Sequence, residues 1–105
     1  MVAIQLTPAA GPLSGLPALA RRVEDLGYDA LWLGEVNATD VVVPATLGVS
    51  STRRLQVGGL LNIYTRSPTN VALAAAGLGH LGGARVAVVL GASSPVLVDR
   101  WNGIP

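Results

Sequence analysis

Polar side chains follow four short apolar runs of the sequence, each at the point where the run ends. If the runs are parallel strands, their carboxyl ends meet at one edge of a sheet, where parallel α/β proteins bind their ligands. The polar residues at these ends are Thr7, Glu35, Asn37, Asn62, Tyr64, Thr65, Arg66, Ser93 and Ser94. With a single carboxylate, this set lacks the carboxylate pair of glycosidase-type hydrolysis. Its hydrogen-bonding groups and one Arg suit holding a cofactor better than unaided acid–base chemistry.

Nucleophilic and metal chemistry are not expected. Ser93 and Ser94 follow the fourth run, but no G-x-S-x-G motif surrounds them, and the single His, His80, precedes them. Residues 91–94 could instead form a small-residue loop that lets a planar ligand or a phosphate approach the backbone, or an ordinary Gly-Ser loop. The chain has no Cys, one His and six carboxylates, so we expect no disulfide, no thiolate and no protein-only metal site.

Residues 77–82 match the letters G-x-G-x-x-G, the fingerprint of a dinucleotide site. That fingerprint must follow a strand and open a helix, because the pyrophosphate binds at the helix N-terminus. Here a predicted helix precedes the motif and a predicted strand follows it. The pattern therefore indicates a glycine-rich helix end with His80 exposed to solvent, and an open-sheet nucleotide-binding module is the least favoured alternative.

Four strands and three helices alternate along the predicted chain. The strands span residues 2–7, 30–34, 55–62 and 85–91, with starts about 25–30 residues apart, which is roughly the length of one strand–helix unit. Capping residues and glycines set the predicted helix boundaries, with Ser14, Asp40 and Ser67 as N-caps, Pro68 at a first helical position, and Gly27 and Gly82-Gly83 as stops.

This pattern predicts an α/β fold with parallel strands. The strands at 30–34 and 85–91 are almost continuously apolar, as expected where both faces of a parallel sheet are covered. The sheet is either open and doubly wound or part of a barrel. A whole (β/α)8 barrel takes ~250 residues, so four strands in this length correspond to about half of one.

Composition excludes several classes of protein. The 105 residues are 50% hydrophobic and 12% charged, with a net charge of +1, so neither disorder nor a nucleic-acid-binding basic patch is expected. No apolar stretch approaches the ~18 to 20 residues of a membrane span, and the first residues lack the features of a secretory signal. We expect a soluble, cytoplasmic protein that binds neither nucleic acid nor membrane.

Three ordered motifs make the chain similar to a known family. Residues 26–35 (LGYDALWLGE), 62–68 (NIYTRSP) and 90–95 (LGASSP), the last continuing to 100–105 (RWNGIP), resemble the bacterial luciferase-like monooxygenase superfamily, in particular its branch that uses a deazaflavin coenzyme. The resemblance implies a TIM-type (β/α)8 barrel of which residues 1–105 are the N-terminal (β/α)4 half, as a single domain.

The resemblance also implies roles for individual residues. Asn62 and Ile63 would form the bulge after the third strand, where the family often has a non-prolyl cis peptide behind the cofactor ring. Thr65 would hydrogen-bond the ring or its tail, and Glu35 would contact the ring edge. Gly91 to Ser94, with Ser93 and Ser94 as the polar members, would line the opposite wall. No catalytic residue is assigned, because Val36 stands where several deazaflavin enzymes carry a His.

The implied function is hydride transfer between a coenzyme and a small organic substrate. The coenzyme would be the deazaflavin coenzyme F420, with FMN as the alternative. The family's phosphate-binding part lies in the half-barrel that is not represented here. Because the length corresponds to half a barrel with open strand edges, we also expect a half-barrel fragment that associates with itself to close those edges. The rival hypothesis is a non-catalytic fragment or half-barrel scaffold without cofactor chemistry.

Overall fold

Four parallel strands alternate with three helices in the computed structural model, which describes residues 2–6, 13–34 and 40–92. The elements are β1 (Ala3–Leu6), α1 (Leu16–Asp25), β2 (Ala30–Leu33), α2 (Val42–Ser51), β3 (Gln56–Asn62), α3 (Pro68–Gly82) and β4 (Val86–Gly91). Two short 3₁₀ turns, Leu13–Gly15 and Gly83–Arg85, precede α1 and β4. The predicted alternation is confirmed. Each end of each strand either matches the predicted bound or differs from it by one residue.

The strands lie side by side in the order β1-β2-β3-β4, and every neighbouring pair is parallel. Sequential order with a helix between successive strands is the arrangement of a barrel wall, whereas a doubly wound sheet reverses its strand order at a switch point. The fold is therefore the (β/α)4 half of a TIM-type barrel, and the alternative of an open doubly wound sheet is wrong for the described residues.

One face of the sheet packs against the helices and forms the core. Leu31 and Leu33 of β2 and Val57 and Leu61 of β3 are at most 2% exposed on this face. Gly48 lets α2 approach closely, because a Cβ there would already touch the side chains of Val57 and Leu31 at 3.5–3.9 Å. The remaining buried members of the core are Leu16, Ala20, Val23, Val41, Ala45, Val49, Leu55 and Leu78.

The opposite face of the sheet, called the inner face below, carries the alternate residues of each strand. Its members are Ala3, Gln5, Ala30, Trp32, Gln56, Gly58, Leu60, Asn62, Ala87, Val89 and Gly91. Trp32 lies directly over its strand neighbour Gly58, where a Cβ would overlap the indole ring. Gln5, Gln56 and Val89 are exposed, since the described helices pack on the other side.

The N-terminus of helix α1 differs from the prediction. Ser14 lies inside the 3₁₀ turn, and the cap residue is Gly15, with no side-chain capping hydrogen bond. The chain is already turning when it reaches α1, so Ser14 is not at the position from which a side chain could cap the helix. At the other end Gly27 has φ +88°, the left-handed conformation expected of a glycine that stops a helix.

Helix α3 is capped as the sequence predicts, whereas the N-cap residue of α2 is Val41, and the predicted cap Asp40 lies one residue before it. Asp40 accepts a hydrogen bond from the Val43 N–H at 3.2 Å, although α2 begins only at Val42. Ser67 accepts from the Asn70 N–H at 3.0 Å, and Pro68 opens α3. Gly83, with φ +58°, follows the last residue of α3. None of the described helices is long and apolar enough to cross a membrane.

At the amino ends of the strands, the segment 52–55 that leads into β3 is held by a carboxylate from α1. Glu24 is 6% exposed and accepts hydrogen bonds from the backbone N–H groups of Arg53 at 3.2 Å, Arg54 at 2.8 Å and Leu55 at 2.7 Å. The Arg54 guanidinium donates in return to the Glu24 carbonyl oxygen at 3.1 Å. Three backbone donors thus share one acceptor that lies about thirty positions earlier in the chain.

The same segment is held from the other side by Arg85, at the start of β4. Its guanidinium donates to the Thr52 hydroxyl at 3.0 Å and to the Leu55 carbonyl oxygen at 3.4 Å. It also donates to the Val49 carbonyl at 3.0 Å, in the last turn of α2. A cation at this place interacts favourably with the dipole of α2, and it adds a second hydrogen bond to the Val49 carbonyl oxygen, which also accepts from the Thr52 N–H at 3.4 Å.

Glu24 makes the stability of the fold depend on pH. Burial raises the pKa of Glu24. A larger opposite effect comes from the hydrogen bonds donated by the N–H groups of Arg54, Leu55 and Arg53 and from the Arg54 charge, so the net pKa lies below its ordinary value. A lowered folded-state pKa contributes stability above the unfolded value of ~4.3, and this contribution is lost as the pH falls through the folded-state pKa.

We predict that Glu24→Gln lowers the free energy of unfolding at pH 7 by roughly 1–3 kcal/mol, because charge-assisted hydrogen bonds are replaced by weaker ones. Urea unfolding of both proteins from pH 7 to pH 3 should show this difference shrinking below about pH 4. The exposed neighbour provides the control: Asp25→Asn should change stability by less than ~0.5 kcal/mol. A difference for Glu24→Gln that stays constant across this range would contradict the proposed role of the charge.

Candidate functional site

Strands β3 and β4 end together, with Asn62 paired to Gly91. This end of the sheet therefore brings together four of the seven residues predicted to bind a cofactor, namely Asn62, Ile63, Thr65 and Gly91. The other three, Glu35, Ser93 and Ser94, lie outside the described residues, as do Thr7 and Asn37. The described part of the site is thus the end of β3, the loop 63–66 that follows it, and the end of β4.

Asn62 organises the loop that follows it. Its side chain is 6% exposed, and Oδ1 accepts hydrogen bonds from the Tyr64 N–H at 2.9 Å and the Thr65 N–H at 3.4 Å. This is an Asx turn, in which a side-chain carbonyl takes the place of a backbone acceptor. The Asn62 side chain therefore bonds to its own loop, and its position suits a role in fixing the shape of the site.

The chain leaves β3 along the edge of β4. The pairing of β3 with β4 continues without interruption from Val57 to Asn62, and the Ile63 N–H then donates to the Gly91 carbonyl oxygen at 2.9 Å. The Asn62–Ile63 peptide is trans, as are all the peptides of the described residues. The cis peptide expected here is therefore wrong for this chain, whose ladder hydrogen bonds extend one residue past the strand.

The loop presents its side chains to solvent. Ile63 is 41% and Tyr64 49% exposed, so both side chains have apolar surface that is accessible to a ligand. Thr65 is exposed, so its hydroxyl is accessible while its N–H is held by Asn62. Arg66 is half-buried and donates to the Asn70 side-chain oxygen at 2.5 Å, which ties the end of the loop to the first turn of α3.

An apolar pair lies just below this loop on the inner face. Leu60 of β3 is the strand partner of Val89 of β4, and Val89 is 38% exposed. Leu60 leans toward the end of β4, since a Cβ on Gly91 would come within 3.3–3.5 Å of three Leu60 side-chain carbons. The sequence prediction missed both residues. The consecutive leucines 60 and 61 do not reveal which one faces the helices.

Other candidate groups lie away from this end of the sheet or do not form a site. Residues 77–82, the G-x-G-x-x-G match, lie in the last turns of α3 and precede β4, so the motif does not open a helix. His80 is exposed there, as predicted. Across residues 2–6, 13–34 and 40–92, no three His, Asp or Glu side chains cluster closely enough to hold a metal ion.

Comparison with known proteins identifies the family. The sequence profile described as luciferase-like monooxygenase matches residues 2–105. The chain belongs to the luciferase-like monooxygenase family. A Mycobacterium tuberculosis protein named "putative coenzyme F420-dependent oxidoreductase" is 36% identical to this luciferase-like chain over 86 residues, which are 81% of the chain and 25% of that relative.

A solved structure shares the fold. The coenzyme F420-dependent tetrahydromethanopterin reductase of Methanopyrus kandleri superimposes with a TM-score of 0.86 at 24% identity, over 99% of the luciferase-like chain. The match covers 30% of the reductase chain. The chain thus spans about a quarter of the mycobacterial relative's length and under a third of the reductase's.

The Asx turn gives a prediction that needs no ligand. Asn62→Ala removes the acceptor of two backbone hydrogen bonds, so amide hydrogen exchange at Tyr64 and Thr65 should accelerate about fivefold or more, as expected for a net contribution of ~1 kcal/mol or more. Asn62→Asp keeps an acceptor at the same place and should leave these two amides protected. Equal acceleration in both variants, measured by NMR, would show that the loop does not depend on the side-chain carbonyl.

Proposed function

We propose that this chain is the cofactor-binding N-terminal half of a luciferase-like oxidoreductase that uses coenzyme F420, and that residues 1–105 form a single domain. The observation that best supports this proposal is the geometry at the carboxyl ends of β3 and β4, in a chain of this family. There a buried Asn shapes an exposed loop beside an apolar pair. The names of both compared relatives as F420-dependent favour the deazaflavin over FMN, which remains the alternative. The substrate is proposed to be a small organic molecule, and the cytoplasm remains the predicted location.

The described residues fit a planar ring at this place. A deazaflavin ring has two apolar faces and a polar edge, and the end of the sheet offers the apolar Leu60 and Val89 below a loop with hydrogen-bonding groups. Gly91 leaves open the space that a Cβ would fill beside Leu60. Asn62, Ile63, Thr65 and Gly91 are proposed to hold the ring, and the family resemblance adds Glu35, Ser93 and Ser94.

When bound, the coenzyme supplies the carbon that accepts or donates a hydride. The proposed contribution of the chain is binding and orientation. Asn62 keeps the 63–66 loop in one conformation, so that the Thr65 hydroxyl is presented at a constant place. Ile63 and Tyr64 exclude water from the ring through their apolar surfaces. Preorganised groups of this kind lower the entropic cost of reaching a reactive geometry.

A second candidate, a self-associating half-barrel, is favoured by the open inner face. Within the described residues, β1 pairs only with β2 and β4 only with β3, so both edges of the sheet have unpaired backbone groups. Open strand edges favour pairing with another chain. Two copies placed edge to edge would close an eight-stranded barrel and cover both inner faces. This association is compatible with cofactor binding and equally with a scaffold that binds none.

The first test is a fluorescence titration of the purified chain with oxidised coenzyme F420, with FMN in parallel. We expect saturable micromolar binding of the deazaflavin that Asn62→Ala weakens about tenfold, since a loosened loop must be reordered on binding. Gly77→Ala on α3, where a Cβ meets nothing within 4 Å, is the control and should bind normally. Absence of binding up to millimolar concentrations of either coenzyme would reject cofactor binding by this chain.

The second test is sedimentation velocity at micromolar concentrations, where we expect a dimer. Gln5→Arg places a charge on the exposed inner face beside Trp32 and should shift the equilibrium to monomer, because the charge would be buried in the closed barrel. Ala18→Arg on the exposed side of α1 adds the same charge elsewhere and should leave the dimer intact. A well-folded wild-type monomer at all concentrations would rule out barrel closure by pairing.

A further inference from the structure

The fold gathers, at the amino ends of the strands, five arginines that are dispersed along the sequence. Helix α1 runs back from the end of β1 to the start of β2, so the two arginines in its second half lie at this end of the sheet. Two more arginines precede β3, and one precedes β4. The five are Arg21, Arg22, Arg53, Arg54 and Arg85, and Arg66 is the one other arginine in the part of the chain that the structure describes.

Two of these arginines are bound within the fold. The Arg85 guanidinium donates to the Thr52 hydroxyl and to two carbonyl oxygens. The Arg54 guanidinium donates to the Glu24 carbonyl oxygen at 3.1 Å. These contacts join elements that are distant in sequence, and they account for both side chains.

The other three side chains, those of Arg21, Arg22 and Arg53, are exposed. They make no hydrogen bond or ion pair with any residue in the ranges 2–6, 13–34 and 40–92. Arg22 lies in the last turn of α1, where a cation interacts favourably with the helix dipole. Arg53 lies outside the helices and has no such role.

The carboxylates at this end do not cancel the positive charge. Glu24 is buried, and its carboxylate accepts three backbone hydrogen bonds. Asp29 is exposed and accepts a backbone hydrogen bond at 2.8 Å. Asp25 is exposed and lies four residues after Arg21, on the same side of α1. Five arginines against these three carboxylates leave an excess of two positive charges.

An exposed leucine lies next to these arginines. Leu26, the C-cap residue of α1, is 58% exposed. Its N–H donates to the Arg22 carbonyl oxygen at 3.0 Å, which places residues 22 and 26 on one side of the helix. Cationic and apolar groups thus lie together, as they do in many protein–protein interfaces. We call the set Arg21, Arg22, Leu26 and Arg53 the arginine surface.

We propose that the arginine surface binds an acidic segment of another protein, with carboxylates beside an apolar side chain. Guanidinium groups form bidentate, charge-assisted hydrogen bonds with carboxylates. A phosphate polymer would use the charges but leave Leu26 in water, whereas a peptide with an apolar residue would bury it. The surface lies at the opposite end of the sheet from Asn62 and Gly91, so this binding does not depend on the coenzyme and leaves the coenzyme end open.

The test measures fluorescence anisotropy of a dye-labelled peptide, DELDELDE, titrated with the whole chain. Arg22→Ala and Arg53→Ala should each weaken binding about threefold, and the double variant about tenfold, as expected for exposed charge pairs. Raising the salt from ~50 to ~300 mM should weaken wild-type binding about tenfold, because exposed charges are screened. Leu26→Ser should weaken binding about threefold through lost apolar burial.

Two further variants act in other senses. Asp25→Asn removes a competing carboxylate and should tighten binding about twofold. Ala18→Glu is the matched control, because it lowers the net charge by one, as each Arg→Ala change does. Ala18 is exposed in the first turn of α1, at the carboxyl end of the sheet, so peptide affinity should not change. Circular dichroism reports whether each variant folds.

Peptide binding that the two arginine variants and Leu26→Ser weaken, and that Ala18→Glu does not, supports the proposal. Equal affinity in all variants overturns it, as does absence of binding up to millimolar peptide. Sodium polyphosphate is titrated in parallel. Binding of polyphosphate that is tighter than that of the peptide and insensitive to Leu26→Ser would overturn the choice of an acidic protein segment.

Discussion

The carboxylate of Glu24 holds the amino end of the sheet together. Three consecutive backbone N–H groups at Arg53, Arg54 and Leu55 would otherwise need water or leave buried donors unpaired, a cost of ~1–3 kcal/mol each. By accepting all three, Glu24 attaches the end of α1 to the start of β3, the strand that pairs with both β2 and β4. Arg85 holds the same segment from β4. The position of β3 within the sheet thus depends on two charged side chains that are distant in sequence.

The two ends of the sheet are stabilised in different ways. At the amino end, Glu24 and Arg85 form hydrogen bonds that span about 30 residues and link separate elements. At the carboxyl end, Asn62 accepts from the Tyr64 and Thr65 N–H groups and Arg66 donates to Asn70, bonds that span only two to four residues. Parallel barrels commonly place stability at the first end and ligand binding at the second. Because these bonds are local, residues of the site loop can change without disturbing the hydrogen bonds that hold the amino end of the sheet.

Much of the fold could be predicted from the sequence, because its signals are local. Gly27, the Ser67-Pro68 pair and Gly83 act within one helical turn, and the apolar runs placed the four strands. Ser14 failed as a cap because the 3₁₀ turn before α1 has no distinctive pattern. Glu24 was not predicted, since its partners lie about thirty positions away. Within the site, Asn62 was found from its place at a strand end. Leu60 was missed because strand periodicity is ambiguous in the run at 57–61, which includes two glycines.

Trp32 and Gly58 show how neighbouring strands of the sheet share space. The indole of β2 occupies the volume above β3 that any side chain at residue 58 would need. What the sheet constrains is therefore the combined volume of the pair, and each residue is acceptable only in the presence of the other. A smaller residue in place of Trp32 would free room for a larger one in place of Gly58. The two positions are therefore expected to change together in evolution. A related barrel with the sizes exchanged would have the same wall, with its aromatic ring supplied by the adjacent strand.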